Sequence, residues 1–156
     1  MSMTISVDTA ALDAALDGIA ADLDDAARPA AQAAAQVLYN EVKRNVGRLK
    51  KHTGNLDRSI YQAFSKSNSG EGHATYHVSW NAKKAPHGHL VEYGHLQRYE
   101  ITYDPQTKRF TTHKDRPLAQ PKLIAAKPFV RPAMAAFPAA IEAAKAVLFK
   151  TMGDAK

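Results

Sequence analysis

No cysteine occurs among the 156 residues, which excludes a disulfide framework, a thiolate nucleophile and any zinc or iron-sulfur centre held by sulfur. Stability must come from packing or from partner subunits. No uninterrupted run approaches the roughly 18 apolar residues of a membrane span, and Met1-Ser2-Met3-Thr4 has neither the basic flank nor the apolar stretch of a signal peptide. The expectation is a cytosolic product that meets no membrane. Phosphate-cradling motifs, Gly-x-Gly-x-x-Gly and Gly-x-x-x-x-Gly-Lys-Ser/Thr, are absent, and so is the Gly-x-Ser-x-Gly elbow that exposes a catalytic serine. Lys and Arg are missing from residues 1–27, which hold six aspartates, while the rest of the chain holds all 21 basic side chains and nine acidic ones. Such a split offers unlike faces to neighbouring copies, or a basic face to nucleic acid. There is no arginine-rich helix and no interleaved aromatic patch, so charge alone does not make the chain a nucleic-acid reader.

What is present fits one soluble domain, with 45% apolar and 23% charged residues. Leu12, Leu16, Ile19 and Leu23 recur at steps of four, three and four, which lays an apolar stripe along a helix capped by Asp8 or Thr9. Pro29 predicts a kink or a fresh start near residues 27–29, after which Ala34, Val37, Leu38, Val42 and Val46 continue the stripe. Arg44, Arg48, Lys50 and Lys51 suit the C-terminal end, so the helical segment is read as 9–48. A strand is expected over 56–65, a turn at Ser67–Gly72, and a second strand over 73–80, where Ala74, Tyr76, Val78 and Trp80 alternate with polar neighbours. Tyr99–Tyr103 and Lys108–Thr112 read as another hairpin, its turn set by Pro105 and by Asp104 hydrogen-bonding the turn backbone.

The β region is thus 56–112. Pro117, Pro121 and Pro128 make 113–128 an extended connector, and Met134, Phe137, Ile141 and Leu148 stripe a final helix over 131–152, which Pro138 bends or delays. The fold class is α+β: an antiparallel sheet of two hairpins packed on a long kinked N-terminal helix and a C-terminal helix, one domain over 1–156.

His87, His89 and His95 with Glu92 crowd into nine residues, yet their spacing lacks the i, i+4 pairing of helical zinc ligands, Gly88 and Gly94 break any such helix, and no second ligand group recurs elsewhere. Structural or surface histidines are the expectation, with no metal, cofactor or catalytic residue; a histidine-based metal hydrolase is the weakest reading. Glu92 stands between Leu90, Val91 and Tyr93, and a carboxylate in an apolar run needs a partner. Arg131, in the apolar Phe129-Val130-Arg131-Pro132 block, is the candidate partner, within one subunit or across two; the alternative is that both side-chain tips reach water.

Three blocks carry a resemblance. Thr53-Gly54-Asn55-Leu56 with Ser59-Ile60, then Pro86-His87-Gly88-His89-Leu90-Val91-Glu92-Tyr93-Gly94-His95, then Ala126-Lys127-Pro128-Phe129-Val130-Arg131-Pro132-Ala133 stand in one order along most of the chain. Together they resemble the gene-product-ten-like tail-component family of lambdoid long-tailed phages, associated with tail completion and head-to-tail joining. The resemblance implies a non-enzymatic virion protein, a tail-terminator or tail-completion subunit forming a ring, commonly of six, at the head-proximal end of the tail. Its partners would be further copies of itself, the tail-tube protein and a head-side stopper or connector, with DNA passing through without sequence-specific contact. Thr53, Gly54, Leu56, Glu92, Tyr93, Gly94, Pro128, Phe129, Arg131 and Pro132 are the structural or interface candidates. A basic nucleic-acid-binding module is the alternative.

Overall fold

The computed structural model describes residues 10–49 and 53–154. Its order is α1 (Ala10–Gly47), α2 (Asn55–Ser59), β1 (Ile60–Phe64), β2 (Tyr76–Trp80), α3 (Gly88–Tyr93), β3 (His95–Asp104), β4 (Arg109–Ile124) and α4 (Phe137–Asp154). Short 3-10 turns occupy Lys66–Asn68 and Arg131–Ala136. The cap expected at Asp8 or Thr9, and the basic residues Lys50 and Lys51, lie outside the described residues.

The helix expected to break at Pro29 does not: α1 is one helix of 38 residues. Proline has the φ of a helix, so only the Asp25 carbonyl loses its intrahelical donor. Ala26 and Ala30, buried on either side of it, hold the turn by packing. Ala140 of α4 is buried as well, and three small side chains let α1 and α4 approach closely. Met134 and Ala133 line a groove with Ala34, Leu38 and Val42, so α4 starts beside the middle of α1 and runs back toward its N-terminus. Pro138 falls in the first turn of α4, where a missing N–H costs nothing.

The β1–β2 hairpin lies across α1, with Ile60 opposite Trp80, Gln62 opposite Val78 and Phe64 opposite Tyr76. Arg28 stacks its guanidinium 4.4 Å from the Phe64 ring centre, and Gln62 Nε2 donates to Gln36 Oε1 at 3.1 Å. Four residues expected in the first strand, 56–59, are helical instead, because α2 turns the chain from α1 into the sheet. The glycines thought to forbid a helix at 86–95 delimit one, α3 beginning at Gly88 and ending before Gly94.

The second hairpin is longer than the alternation around its turn shows. Strand pairing runs from His95 opposite Ile124 to Asp104 opposite Arg109, so most of the supposed connector is strand, with pairing resumed around Pro117 after an irregularity between Gln97 and Glu100. Proline is tolerated at such a break because no ladder hydrogen bond is asked of it. Asp104 closes the tip as expected: its Oδ1 accepts from the Gln106 N–H at 2.8 Å and its Oδ2 from the Thr107 hydroxyl at 2.6 Å. The two hairpins stay separate two-stranded sheets; they do not join into one.

The core gathers Val42 and Val46 of α1, Leu56, Ile60, Ala85, Phe129 and Ala133. Leu16, Ile19 and Leu23, expected to be buried, are 54%, 47% and 38% exposed. Among the described residues, α4 packs along α1, and the turn at Gly72 comes up to Asp24. By length and a mean hydropathy of 1.3, Arg131–Thr151 reaches the level of a membrane-crossing helix, a level that packed helices of soluble folds also reach. Here one side of it packs on α1.

Candidate functional site

The three sequence blocks converge on Phe129, which is fully buried. Its carbonyl accepts from Asn45 Nδ2 of α1 at 3.1 Å, and its N–H donates to Glu92 Oε2 of α3 at 2.7 Å. Its ring meets Trp80 edge to face with centroids 5.5 Å apart, an arrangement that adds to the burial of both rings. One residue is thereby fixed to the long helix, to the short helix and to the first sheet.

Glu92 is 1% exposed, and every acceptor position that matters is filled. Oε2 also accepts from Val130 N–H at 3.0 Å, while Oε1 accepts from the N–H of Arg131 at 3.0 Å and from its Nε at 3.1 Å. Arg131 Nη2 returns to the Glu92 carbonyl oxygen at 2.6 Å. The pairing expected from the two apolar runs is therefore made within one subunit. Three consecutive backbone N–H groups form a nest of the kind that binds anions, and Glu92 is its built-in anion. Burial alone would raise the Glu92 pKa, but the hydrogen bonds from Val130, Phe129 and Arg131 outweigh it and hold the carboxyl below the usual glutamate value. A carboxylate so saturated has no free lone pair aimed at a substrate.

The flanking residues position this knot. Gly94 has φ +74°, and a Cβ there would lie 2.7 Å from the Ile124 carbonyl oxygen, so only glycine lets the end of α3 touch the end of β4. Gly88 is as constrained from another side: a Cβ would lie 2.3 Å from Trp80 Nε1. Lys127 N–H donates to the Val91 carbonyl at 2.8 Å, and Arg131 places its guanidinium 5.1 Å from the exposed Tyr93 ring. Pro132 falls at the start of the 3-10 turn that leads to α4, and Pro128 precedes Phe129 in the extended entry to it.

Block one forms the corner between α1 and the sheet. Gly54 takes a left-handed conformation, φ +72°, and Arg58 clamps the corner by donating to the Thr53 carbonyl at 3.0 Å and Asn55 Oδ1 at 2.7 Å. Leu56 enters the core, and Lys43 ties α2 to α1 through the Asp57 carbonyl and carboxylate at 2.8 and 2.6 Å. Asn45, Lys43 and Trp80 escaped the reading of the sequence. Asn45 carries the one recoverable signal, an amide between Val42 and Val46 on the apolar side of a helix.

The histidines do not join the knot. Among the described residues no three His, Cys, Asp or Glu side chains form a group that could hold a metal. Instead His87 and His95 line a cleft of about 690 Å³ between α2, α3 and the β3–β4 arm. Burial, then the charge of His89, keeps the His87 pKa below the usual imidazole value. Leu49, Leu56, Leu90 and Ile124 give the cleft an apolar floor, and Lys84, Lys108, Arg109 and Lys127 give it a basic rim. Lys108 and Arg109 belong to the arm's tip, so the arm curls back over the body at its irregular pairing.

A family model described as "Bacteriophage HK97-gp10, putative tail-component" matches residues 10–94. That segment contains the first block and the second up to Gly94; the third block supplies the N–H groups that Glu92 accepts from. No curated protein and no solved structure matches the chain.

Proposed function

The chain belongs to the HK97-gp10-like family of phage tail components, and from that premise we propose that it is a tail-terminator or tail-completion subunit. It works as one wedge of a closed ring, six copies in the usual form of the family, at the head–tail junction of the virion. The ring caps the tail-tube protein on one side and meets a head-side stopper or connector on the other, and DNA passes through without base-specific contact. Assembly takes place in the host cytoplasm.

The family match carries this reading, and the site supports it. The residues that the blocks single out make a rigid joint, with Glu92 consumed in holding Phe129, Val130 and Arg131, rather than a pocket with a poised acid or base. Thr53, Gly54, Leu56, Gly94, Phe129 and Pro132 serve the same joint, and Tyr93 and Arg131, both exposed and stacked on each other, are placed to reach a neighbour. A ring needs such stiffness, because small changes in wedge angle decide whether a heterologous contact closes or spirals.

Electron microscopy of particles made without this protein tests the role. Finished heads accumulating apart from tails of irregular length are the expected result. Normal, joined virions would refute it. Retention of the purified protein on DNA in a salt-dependent manner, with no ring by mass photometry, would favour a nucleic-acid module instead.

A further inference from the structure

Two unlike surfaces stand at opposite ends of α1. At its N-terminal end, Asp13, Asp17, Asp22, Asp24 and Asp25 precede the first basic residue, Arg28, and Leu16, Ile19 and Leu23 are about half exposed among them. At about 100° per residue, Leu16 and Leu23 share one face of α1, and Phe137 and Ile141 of α4 are also partly exposed, at 48% and 41%. At its C-terminal end, Val46 and Leu49 enter the cleft under the β3–β4 arm. That cleft is the opposite in charge and alike in polarity: an apolar floor beneath Lys84, Lys108, Arg109 and Lys127. His95 and Ile124 face the cleft as a cross-strand pair, and Leu96 and Leu123, the next pair, are exposed on the arm's other face. At 1.5 Å per residue, Ile19 lies about 40 Å along the helix from Val46, so no copy can fill its own cleft with its own acidic end.

We propose that the cleft between the arm and the body receives the acidic, leucine-striped N-terminal half of α1 from the next copy. The inference rests on the ring reading and names its contact. The docking is a helix laid in a groove, its apolar side down and its aspartates toward the lysines and arginine of the rim. Because donor and acceptor are different patches on every copy, the contact is heterologous and propagates in one direction until it closes. It also assigns a task to the arm, which packs mainly on itself within one chain. Apolar residues left exposed at both ends are covered by one event.

Charge reversal in a mixing experiment tests it. One variant carries Asp17→Lys and Asp24→Lys, the other Lys84→Glu and Arg109→Glu; all four side chains are exposed, and circular dichroism melts establish that both variants fold. By mass photometry the unaltered protein is expected to form rings, and each variant alone to stay monomeric, with self-association weakened roughly 100-fold or more by like charges in contact. Mixed in equal amounts they are expected to reassemble, since the lysine-bearing helix of one then meets the glutamate-rimmed cleft of the other. A Leu23→Cys, Leu90→Cys protein, with Leu90 on the cleft floor and the chain otherwise free of thiols, should cross-link between copies.

If the unaltered protein and both variants all form rings, the docking is wrong and the ring reading stands; the groove then serves a different virion protein. Variants that stay monomeric and are not rescued by mixing also overturn the docking. An unaltered protein that stays monomeric at every concentration overturns both.

Discussion

Glu92 shows how one residue sets the stability of the whole joint. Replacing it with Gln keeps the shape but exchanges a charged acceptor of four hydrogen bonds for a neutral amide whose NH2 faces N–H donors. A loss of about 2–4 kcal/mol is expected in urea unfolding at pH 7. The sign of its pH dependence follows from the lowered pKa. The contribution is fully present above the ordinary glutamate pKa of 4.5 and is lost as pH falls through the lower folded value. Unfolding midpoints at pH 7 and pH 3 should therefore differ less in Glu92→Gln than in the natural protein, and equal differences would refute the assignment. The glycines separate by the same kind of reasoning. Gly94→Ala forces a side chain into a left-handed backbone against the Ile124 carbonyl, and a loss of about 2–4 kcal/mol is expected. Gly47→Ala, with open space around it in a helix, should stabilise by about 0.5–1 kcal/mol. Thermal melts of the two variants compare them directly.

At the scale of elements, α1 is the spine and the arm is an appendage. Pro29 leaves the Asp25 carbonyl without its donor inside a helix that tertiary packing keeps whole, so Pro29→Ala should raise the melting temperature, by the equivalent of about 1–3 kcal/mol. A fall would mean that the proline sets a bend the α4 contact needs. The arm's residues are mostly exposed and pair chiefly with each other, whereas α1, β1 and the Phe129 segment share one core. Hydrogen exchange should accordingly release β3 and β4 amides well before those of residues 42–46 in the isolated subunit. In the assembled ring, the arm's protection should rise if the neighbouring helix covers it.

For the whole molecule, opposite charge at the two ends of a 38-residue helix gives the subunit the polarity that the proposed ring contact uses. Raising salt should weaken self-association, because exposed charges are screened beyond about 8–10 Å at physiological ionic strength. The apolar floor of the cleft should leave a residual, salt-independent part. Sedimentation at low and high salt measures both.

Much of this was legible in the residues. Period and composition located α1, both hairpins and α4, but not which face is buried: the stripe residues Met134, Phe137 and Ile141 of the last segment are exposed while Ala140 is buried. The spacing also exposed Glu92 and Arg131 as two charges needing each other, and Asp104 as the closure of a turn. Other features depend on where distant segments meet. Whether Pro29 breaks a helix was decided by the burial of Ala26 and Ala30 on its two sides, and whether 113–124 is connector or strand by the partner that β3 offers. The glycines of α3 were read as breakers, when Trp80 and Ile124 approaching them are what require them. Leu16 and Leu23 read as core, yet they are 54% and 38% exposed among the described residues, because burial depends on which other segments reach that end of α1. Sequence fixes what each side chain needs; only packing in three dimensions determines which of those needs are met within one copy and which are left for the next.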